Sequence, residues 1–505
     1  MSEQKFFKED FIMKFTKILA MVLCLIMALS VLAACAEGGK GDETTAGNNG
    51  ETQAPGSDEV TEGATTIPVD DRGYIKDNLP DKVFDDEFKL FTWSNQTGWE
   101  FDADTATGEP VKDQVYYRKQ HLIDKYGITL ALTKENGDWD HKDSFVKMVE
   151  ASMNETDGYD AVGCYFAVSG AMTVKGFFED LSNKDYAPYI DLSKPWWPDD
   201  LLGSARVNGA VYAATGDITP TFIRNLSVCH INLSLFNDYN AGVDVFELVR
   251  NKEWTYEKLV ELVLGKVPTG GEQFGLTMDN NVVYDDIFYS SGMTFIENLD
   301  DGSIQMRALD TDERFLDFFE FSYRLLAENE DVKLVTMQTS FQTGVSMVHF
   351  GNAAQIQNYL QEVEFDYACV PYPMFVTETH KEQTEYHSVQ GFWTTLYSIP
   401  VNCTDYELAS FTLEALASFG YRWLSPTWFE ESFQTRFVET PDNAEMLEII
   451  KNGVTFDTAR VFGTHINCFA AFREAGKGNS DWISYYNSKL PAWNNAINEI
   501  NNKLG

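Results

Sequence analysis

Five alternating strand-like and helix-like segments between residues 86 and 166 constrain the fold most. The stretch "DDEFKLFTW" alternates like a strand with an apolar face, and "VKDQVYYRKQHLIDKYGITLAL" shows helical spacing up to Gly127, followed by a short strand. The stretches "HKDSFVKMVEASMNE" and "YDAVGCYF" repeat the plan with a second helix and a third strand. This order predicts a parallel α/β sheet with right-handed crossovers.

The ends of these strands indicate where a ligand would bind. In open α/β sheets, ligands lie beyond the carboxyl ends of the strands. After the first strand this rule selects Trp93, Asn95 and Gln96, and after the third strand it selects Tyr165 and Phe166.

Further elements follow in the second half of the chain. A helix is predicted from "WTYEKLVELVLGKV", with Thr255 as its N-cap, and a longer amphipathic helix from "ERFLDFFEFSYRLLAENE". "FDYACVPYPM" and "TTLYSIPVN" read as strands, and two more helices are expected within residues 406–423 and 481–503. No period of 20 to 50 residues recurs, which argues against a repeat protein.

The N-terminus has the pattern of an export signal. Lysines precede the apolar run "ILAMVLCLIMALSVL", and the run ends in "LAAC", with small residues before Cys35. Residues 1–34 are therefore predicted to be a signal peptide, with translation starting at Met1 or Met13. The sequence "LAAC" also resembles the lipobox of bacterial lipoproteins, a resemblance that implies lipidation of Cys35.

The segment after Cys35 differs in composition from the rest of the chain. Residues 36–72 contain almost no large apolar side chain, so residues 35–72 are predicted to form a lipidated, disordered tether. The whole chain has a formal net charge of −40. A surface this acidic repels nucleic acids and anionic lipids, so neither is an expected partner.

Cysteine and histidine spacing predicts neither a metal site nor a disulfide framework. Five scattered cysteines follow Cys35, without a C-x-x-C pair, and buried free thiols are the expected state. The seven histidines include no H-E-x-x-H motif, "DADTATG" lacks the ligands and glycine of a calcium loop, and no nucleophile elbow or P-loop is present. No cofactor is expected.

Several motifs, in this order, resemble family 1 extracellular solute-binding proteins, the carbohydrate-binding lipoproteins of ABC transporters in Gram-positive bacteria. They are "VYYRKQHLIDKYGITL", "DLSKPWWPDDLL", "VNGAVYAATGDIT", "EWTYEKLVEL", "FQTGVSMVHFGNAAQIQNYL", "FDYACVPYPM" and "EYHSVQGFWTTLYSIP". The last motif lacks the tandem glycine of many members.

The resemblance implies a type II periplasmic-binding-protein-like α/β fold, with two lobes joined by a hinge. The expected boundaries are 73–215 and 362–420 for the first lobe, and 216–361 and 421–505 for the second. It further implies a monomeric, non-enzymatic receptor, lipid-anchored at the extracellular face of the membrane. Such a receptor captures a carbohydrate, most simply an oligosaccharide, and delivers it to the transmembrane permease subunits of an ABC importer.

A sugar site needs aromatic platforms for C–H faces and planar polar groups for hydroxyls. The strand-end residues above supply both, and by the resemblance the loop containing Gly391 and Trp393 faces the cleft. Asp217, near the expected lobe crossing, is a candidate acceptor for hydroxyls, although such residues often cap their own backbone.

The stretch "KPWWPDD" admits two interpretations. Flanking prolines make the turn rigid, so Trp197 could face the ligand or, more simply, brace the connection between lobes. Three other functions also stay open at this point: an extracellular glycoside hydrolase with paired carboxylates, an adhesin, and a receptor for peptides or another solute.

Overall fold

The computed structural model describes residues 68–156, 158–268, 271–280, 282–433, 441–477 and 481–505. Nine strands form two sheets: β1 Asp86–Trp93, β2 Ile128–Glu135, β3 Ala161–Tyr165, β4 Ser227–Asn232, β5 Phe274–Met278, β6 Val332–Leu334, β7 Ser346–Asn352, β8 Tyr367–Val370 and β9 Thr395–Ser398. Short two-stranded pieces pair 206–207 with 210–211, 296–298 with 304–306, and 388–389 with 454–455. The predicted signal peptide, Cys35 and most of the tether lie outside the described residues.

Helices cover both sheets. In chain order they are α1 Ser94–Glu100, α2 Pro110–Tyr126, α3 Lys142–Ser152, α4 Ser169–Val174, α5 Asp199–Ala205, α6 Thr221–Arg224, α7 Leu233–Tyr239, α8 Val245–Arg250, α9 Tyr256–Val263, α10 Val283–Ser290, α11 Glu313–Tyr323, α12 Ala354–Tyr359, α13 Tyr406–Phe419, α14 Ser425–Phe433, α15 Pro441–Asn452, α16 Thr458–Val461, α17 Gly463–Ile466, α18 Ala471–Gly476 and α19 Trp482–Lys503. A π-helical turn follows α11 and another follows α13. Within the described residues, no helix is both long and apolar enough to cross a bilayer.

The first sheet has the order β9-β3-β1-β2. β1 pairs in parallel with β2 and β3, as the alternating segments predict, and the left-handed Gly127 ends α2. β9 instead runs antiparallel to β3, from Thr395 opposite Tyr165 to Ser398 opposite Val162. The βαβ rule does not govern β9, because it returns from the other sheet by a long connection.

The second sheet has the order β6-β5-β7-β4-β8 and is also mixed. β4 runs antiparallel to β7 and β8, so its N-terminal end lies at the same edge as the carboxyl ends of β5, β6, β7 and β8. The expected boundaries placed residues 362–420 in the first lobe, whereas β8 pairs with β4 in the second sheet. The exact lobe boundaries remain a prediction.

Two chain segments connect the sheets side by side. Residues 215–226 lead from Ala214, which bridges to Tyr397 of β9, into β4. Residues 371–394 return from β8 to β9, and Gly391 N donates to Asn225 O at 2.7 Å. We call these two segments the lobe crossing.

The start of the described chain packs on the body. Val69 bridges to Ile75, and the Arg72 guanidinium lies 3.5 Å from the centre of the Trp423 ring. Asp77 pairs with Arg422 at 2.7 Å. Residues 68–72, predicted as the end of the tether, therefore belong to the folded body.

Candidate functional site

Three aromatic rings meet where β1, β3 and β9 come together. Trp93 ends β1 and stacks against Trp393, with ring centroids 5.8 Å apart and planes 26° apart. Tyr165 ends β3 and lies 5.1 Å from Trp93 and 6.3 Å from Trp393. Trp93 is 0% exposed, whereas Trp393 is 47% exposed. The aromatic platform, defined as Trp93, Tyr165 and Trp393, therefore offers the Trp393 ring to solvent.

A hydrogen bond to β9 holds the Trp93 indole in place. Its Nε1 donates to Thr395 Oγ1 at 2.7 Å, and Thr395 begins β9. The buried ring thus supports the exposed one and does not itself present a surface. The sequence rule placed Trp93 correctly at a strand end, but burial is a tertiary property that this rule does not address.

Asn95 and Gln96 lie on α1, directly after β1. Asn95 accepts from Gly137 N at 3.0 Å and donates to Asp138 at 3.3 Å, so it holds the loop that carries Trp139. Trp139 is 45% exposed, and its ring lies 6.2 Å from that of Phe469. A hydrogen bond from His141 lowers the pKa of Asp138. Gln96 is buried on α1.

Phe166 and Gly391 border the platform. The Phe166 ring lies 5.8 Å from that of Phe392, and Phe392 lies 6.3 Å from Tyr165. The Gly391 backbone holds this loop to the lobe crossing through the bond to Asn225 described above. Five of the residues predicted at the site, Trp93, Tyr165, Phe166, Gly391 and Trp393, are thus brought together.

Sequence analysis missed a charged group beside these rings. The Arg460 guanidinium lies 4.3 Å from the centre of the Phe392 ring and 5.2 Å from that of Tyr289, and its buried Nε has no hydrogen-bond partner in the described structure. Burial raises the pKa of Tyr165 to about 12, against the opposing effect of Arg460 and Arg473. These arginines therefore act electrostatically on the platform.

Two adjacent carboxyl groups of α10 belong to the same region. Asp285 lies 3.3 Å from Arg473, and burial raises the pKa of Asp285 to about 7 and of Asp286 to about 8. Asp286 is partly exposed. The sequence "VYDDIFYS" could have indicated these two groups, because two carboxylates stand inside an otherwise apolar helix.

Trp197, predicted as a ligand contact, is buried in this structure, and its indole N–H is used within the protein. Trp196 and Trp197 are 0% and 2% exposed, and their indoles donate to the two oxygens of Glu414 at 3.1 and 2.9 Å. Burial raises the pKa of Glu414 to about 8. The double-tryptophan turn therefore braces α13.

Asp217 lies in the lobe crossing rather than on the platform. It accepts a hydrogen bond from Ser425 of α14, and burial raises its pKa. It also lines a cavity of about 260 Å³ together with Asp199, Asp200 and Lys451. A larger cavity of about 680 Å³ lies near Tyr421 and Phe429 and contains none of the predicted site residues.

The cysteine prediction is confirmed for the five cysteines that follow Cys35, since all five are free and buried. Among the described residues, no group of three or more histidine, cysteine or acidic side chains could hold a metal ion.

Known structures share the fold at low sequence identity. A family 1 extracellular solute-binding protein from Bifidobacterium longum subsp. infantis has 11% identity and a TM-score of 0.52, covering 81% of this chain and 99% of that chain. The galacto-N-biose/lacto-N-biose I-binding protein of the ABC transporter from Bifidobacterium longum, in complex with lacto-N-biose, has 10% identity and a TM-score of 0.52, covering 83% and 97%.

A third structure is UgpB from Mycobacterium tuberculosis in complex with glycerophosphocholine, with 14% identity, a TM-score of 0.54, and coverage of 81% and 98%. No protein-family profile and no curated protein sequence matches the chain. The structural matches confirm the fold predicted from the motifs: the chain has the α/β fold of the extracellular solute-binding proteins.

Proposed function

We propose that this protein is the substrate-binding lipoprotein of an ABC importer and that it captures a carbohydrate, most simply an oligosaccharide, between its lobes. The observation that carries the proposal is the exposed Trp393 ring, stacked on buried Trp93 at the carboxyl ends of β1 and β3. A flat, supported indole suits the C–H face of a sugar ring. The solved structures with this fold include a protein bound to lacto-N-biose.

The polar groups around the platform fit the same ligand class. The Arg460 guanidinium lies 4.3 Å from the centre of the Phe392 ring, which borders the platform, and it interacts electrostatically with Asp286. A guanidinium and a carboxyl group can both bind hydroxyls. Lipidated Cys35 would hold the receptor at the extracellular face of the membrane, and lobe closure over the sugar would present both lobes to the permease. The receptor performs no reaction and needs no cofactor.

A non-sugar solute is the second candidate. The UgpB structure holds glycerophosphocholine, and an aromatic platform in an acidic protein also suits a quaternary ammonium group. The two candidates differ in their ligands rather than in their fold.

Thermal unfolding of residues 36–505 tests the proposal against a panel of mono- and oligosaccharides, short peptides and choline compounds. A ligand at about 100 times its Kd adds about 2.7 kcal/mol to the free energy of unfolding. We expect a saturable increase in Tm with one sugar, which is recovered intact. Recovery as shorter products would favour a hydrolase, and a response only to peptides or choline compounds would reject the carbohydrate proposal.

A further inference from the structure

Glu100, the last residue of α1, is enclosed by hydroxyl groups. Its side chain is 0% exposed, and its Oε1 accepts from Thr219 at 2.5 Å, Thr395 at 2.6 Å and Thr221 at 3.2 Å. Its Oε2 accepts from Tyr397 at 3.1 Å. We call these four residues with Glu100 the hydroxyl cage. A carboxylate accepts such bonds from every side, and they partly offset the cost of burying its charge.

One cage member links Glu100 to the aromatic platform. Thr395 Oγ1 donates to Glu100 and also accepts from Trp93 Nε1 at 2.7 Å. A hydroxyl carries a single proton, and the indole N–H can only donate. Because Thr395 donates its hydroxyl proton to Glu100, an oxygen lone pair of Thr395 is left to accept the N–H of Trp93. The carboxylate therefore sets the direction of both hydrogen bonds, from Trp93 to Thr395 and from Thr395 to Glu100.

Two other cage members belong to the lobe crossing. Thr219 and Thr221 lie between Ala214, which bridges to the first sheet, and β4 of the second sheet. Thr394, on the returning segment, donates its hydroxyl to Thr221 O at 3.0 Å. The cage therefore touches both segments that connect the sheets.

Arg118 of α2 adds a second connection. It is 1% exposed, and its guanidinium donates to the carbonyl oxygens of Glu100 and Ile218. Ile218 is the residue before Thr219 in the crossing. The buried Arg118 guanidinium thus ties the backbone of α1 at Glu100 to the backbone of the crossing at Ile218.

We propose that Glu100 is a positioning residue: through Thr395 and Thr219 it holds the Trp93 support of the platform in a fixed relation to the lobe crossing. It contacts no ligand itself. The role in ligand binding rests on the proposed function, whereas the role in holding Trp93 and the crossing does not.

The chain offers a matched control. Glu414 is 1% exposed, and its carboxyl group accepts directly from the indoles of Trp196 and Trp197, whereas Glu100 reaches Trp93 only through Thr395. Glu100→Gln and Glu414→Gln therefore make the same chemical change in two buried carboxyl groups, one linked to Trp93 through Thr395 and the other bonded directly to Trp196 and Trp197. A merely structural role would make the two variants behave alike.

The first measurement is the ¹⁵N–¹H signal of the Trp93 indole in residues 36–505, assigned with Trp93→Phe, and its exchange with D₂O. We expect Glu100→Gln and Thr395→Val to shift this signal and to speed its exchange at least tenfold. Thr395→Ser, which keeps the hydroxyl, should restore the parent behaviour. Glu414→Gln should move the Trp196 and Trp197 signals only.

The second measurement is backbone hydrogen exchange over residues 215–226, which should be faster in Glu100→Gln than in Glu414→Gln. With the sugar that stabilises the parent protein, Glu100→Gln should also weaken binding about tenfold. An unchanged Trp93 signal in Glu100→Gln, or an equal effect of Glu414→Gln, would overturn the proposal. Neither spectroscopic test needs a ligand, so a failure of the carbohydrate proposal stays distinguishable.

Discussion

At the scale of single residues, exposure separates a residue that contacts ligand from one that supports it. Trp93 and Trp393 stack on each other, but only Trp393 has a free face. Trp196 and Trp197 show the other extreme, since both rings are buried and both N–H groups are used by Glu414. The residue type alone does not distinguish these four tryptophans.

Trp393→Ala should weaken sugar binding about 10- to 100-fold, which corresponds to about 1.4–2.8 kcal/mol. The loss in stability should be small, because the ring is already 47% exposed. Titration calorimetry with the sugar that stabilises the parent checks the affinity. Tyr117→Ala is the control, because Tyr117 is equally exposed on α2 and should leave binding unchanged. Equal affinity in both variants would exclude Trp393 from the site.

At the scale of elements, the lobe crossing depends on close backbone packing. Gly216 has φ 138°, and a Cβ at this position would lie 2.2 Å from the Trp196 carbonyl oxygen. The turn that holds both tryptophans thus passes directly against the start of the crossing. A side chain at Gly216 cannot be accommodated without moving backbone atoms.

Gly216→Ala should therefore lower the free energy of unfolding by about 3 kcal/mol or more, from backbone strain and the steric clash. Gly203→Ala is the control, because Gly203 lies on α5 with nothing within 4 Å of its added Cβ. There the better helix propensity of alanine should stabilise by about 0.5–1 kcal/mol. Urea unfolding of both variants measures the difference, and similar values would argue against a tight crossing.

At the scale of the whole molecule, buried carboxyl groups shape the pH dependence of stability. Burial raises the pKa of Asp285 to about 7 and those of Asp286 and Glu414 to about 8. The folded state then binds more protons than the unfolded state, so stability falls as pH rises towards these values. Buried histidines act oppositely, since burial lowers the pKa of His230 to about 4 and of His349 to about 3.

The buried histidines affect the pH dependence of stability mainly below about pH 6.5, which is the pKa of histidine in the unfolded chain. Between pH 6.5 and 8.5 the buried carboxyl groups lower the stability as pH rises, and buried thiols such as Cys164, whose pKa burial raises to about 12, act in the same direction near the upper end. We expect stability to fall by about 1 kcal/mol or more per pH unit. Urea unfolding at pH 6.5, 7.5 and 8.5 measures this slope. Glu414→Gln should reduce it, because one of the three groups no longer titrates, and a stability that rises over this range would contradict the assignment.

Local patterns determined much of the fold. Apolar periodicity predicted β1, α2, β2, α3 and β3 in order, and Thr255 caps α9 by accepting a hydrogen bond from Lys258 N, as its position indicated. These elements follow from contacts between near neighbours in the chain, which a periodic pattern records. The antiparallel direction of β9 and the pairing of β8 in the second sheet arise from long connections, which leave no such record.

The sequence by itself determined which chain segments form strands and helices, the order of motifs typical of a solute-binding fold, and the placement of Trp93 and Tyr165 at strand ends. Only the tertiary structure decided that Trp393 is the exposed ring, that Trp197 braces α13, and that Arg460 and Glu100 belong to the site region. The physical reason is that exposure and hydrogen bonding at these positions depend on partners hundreds of residues away: Trp93 and Glu100 find Thr395, and Trp197 finds Glu414.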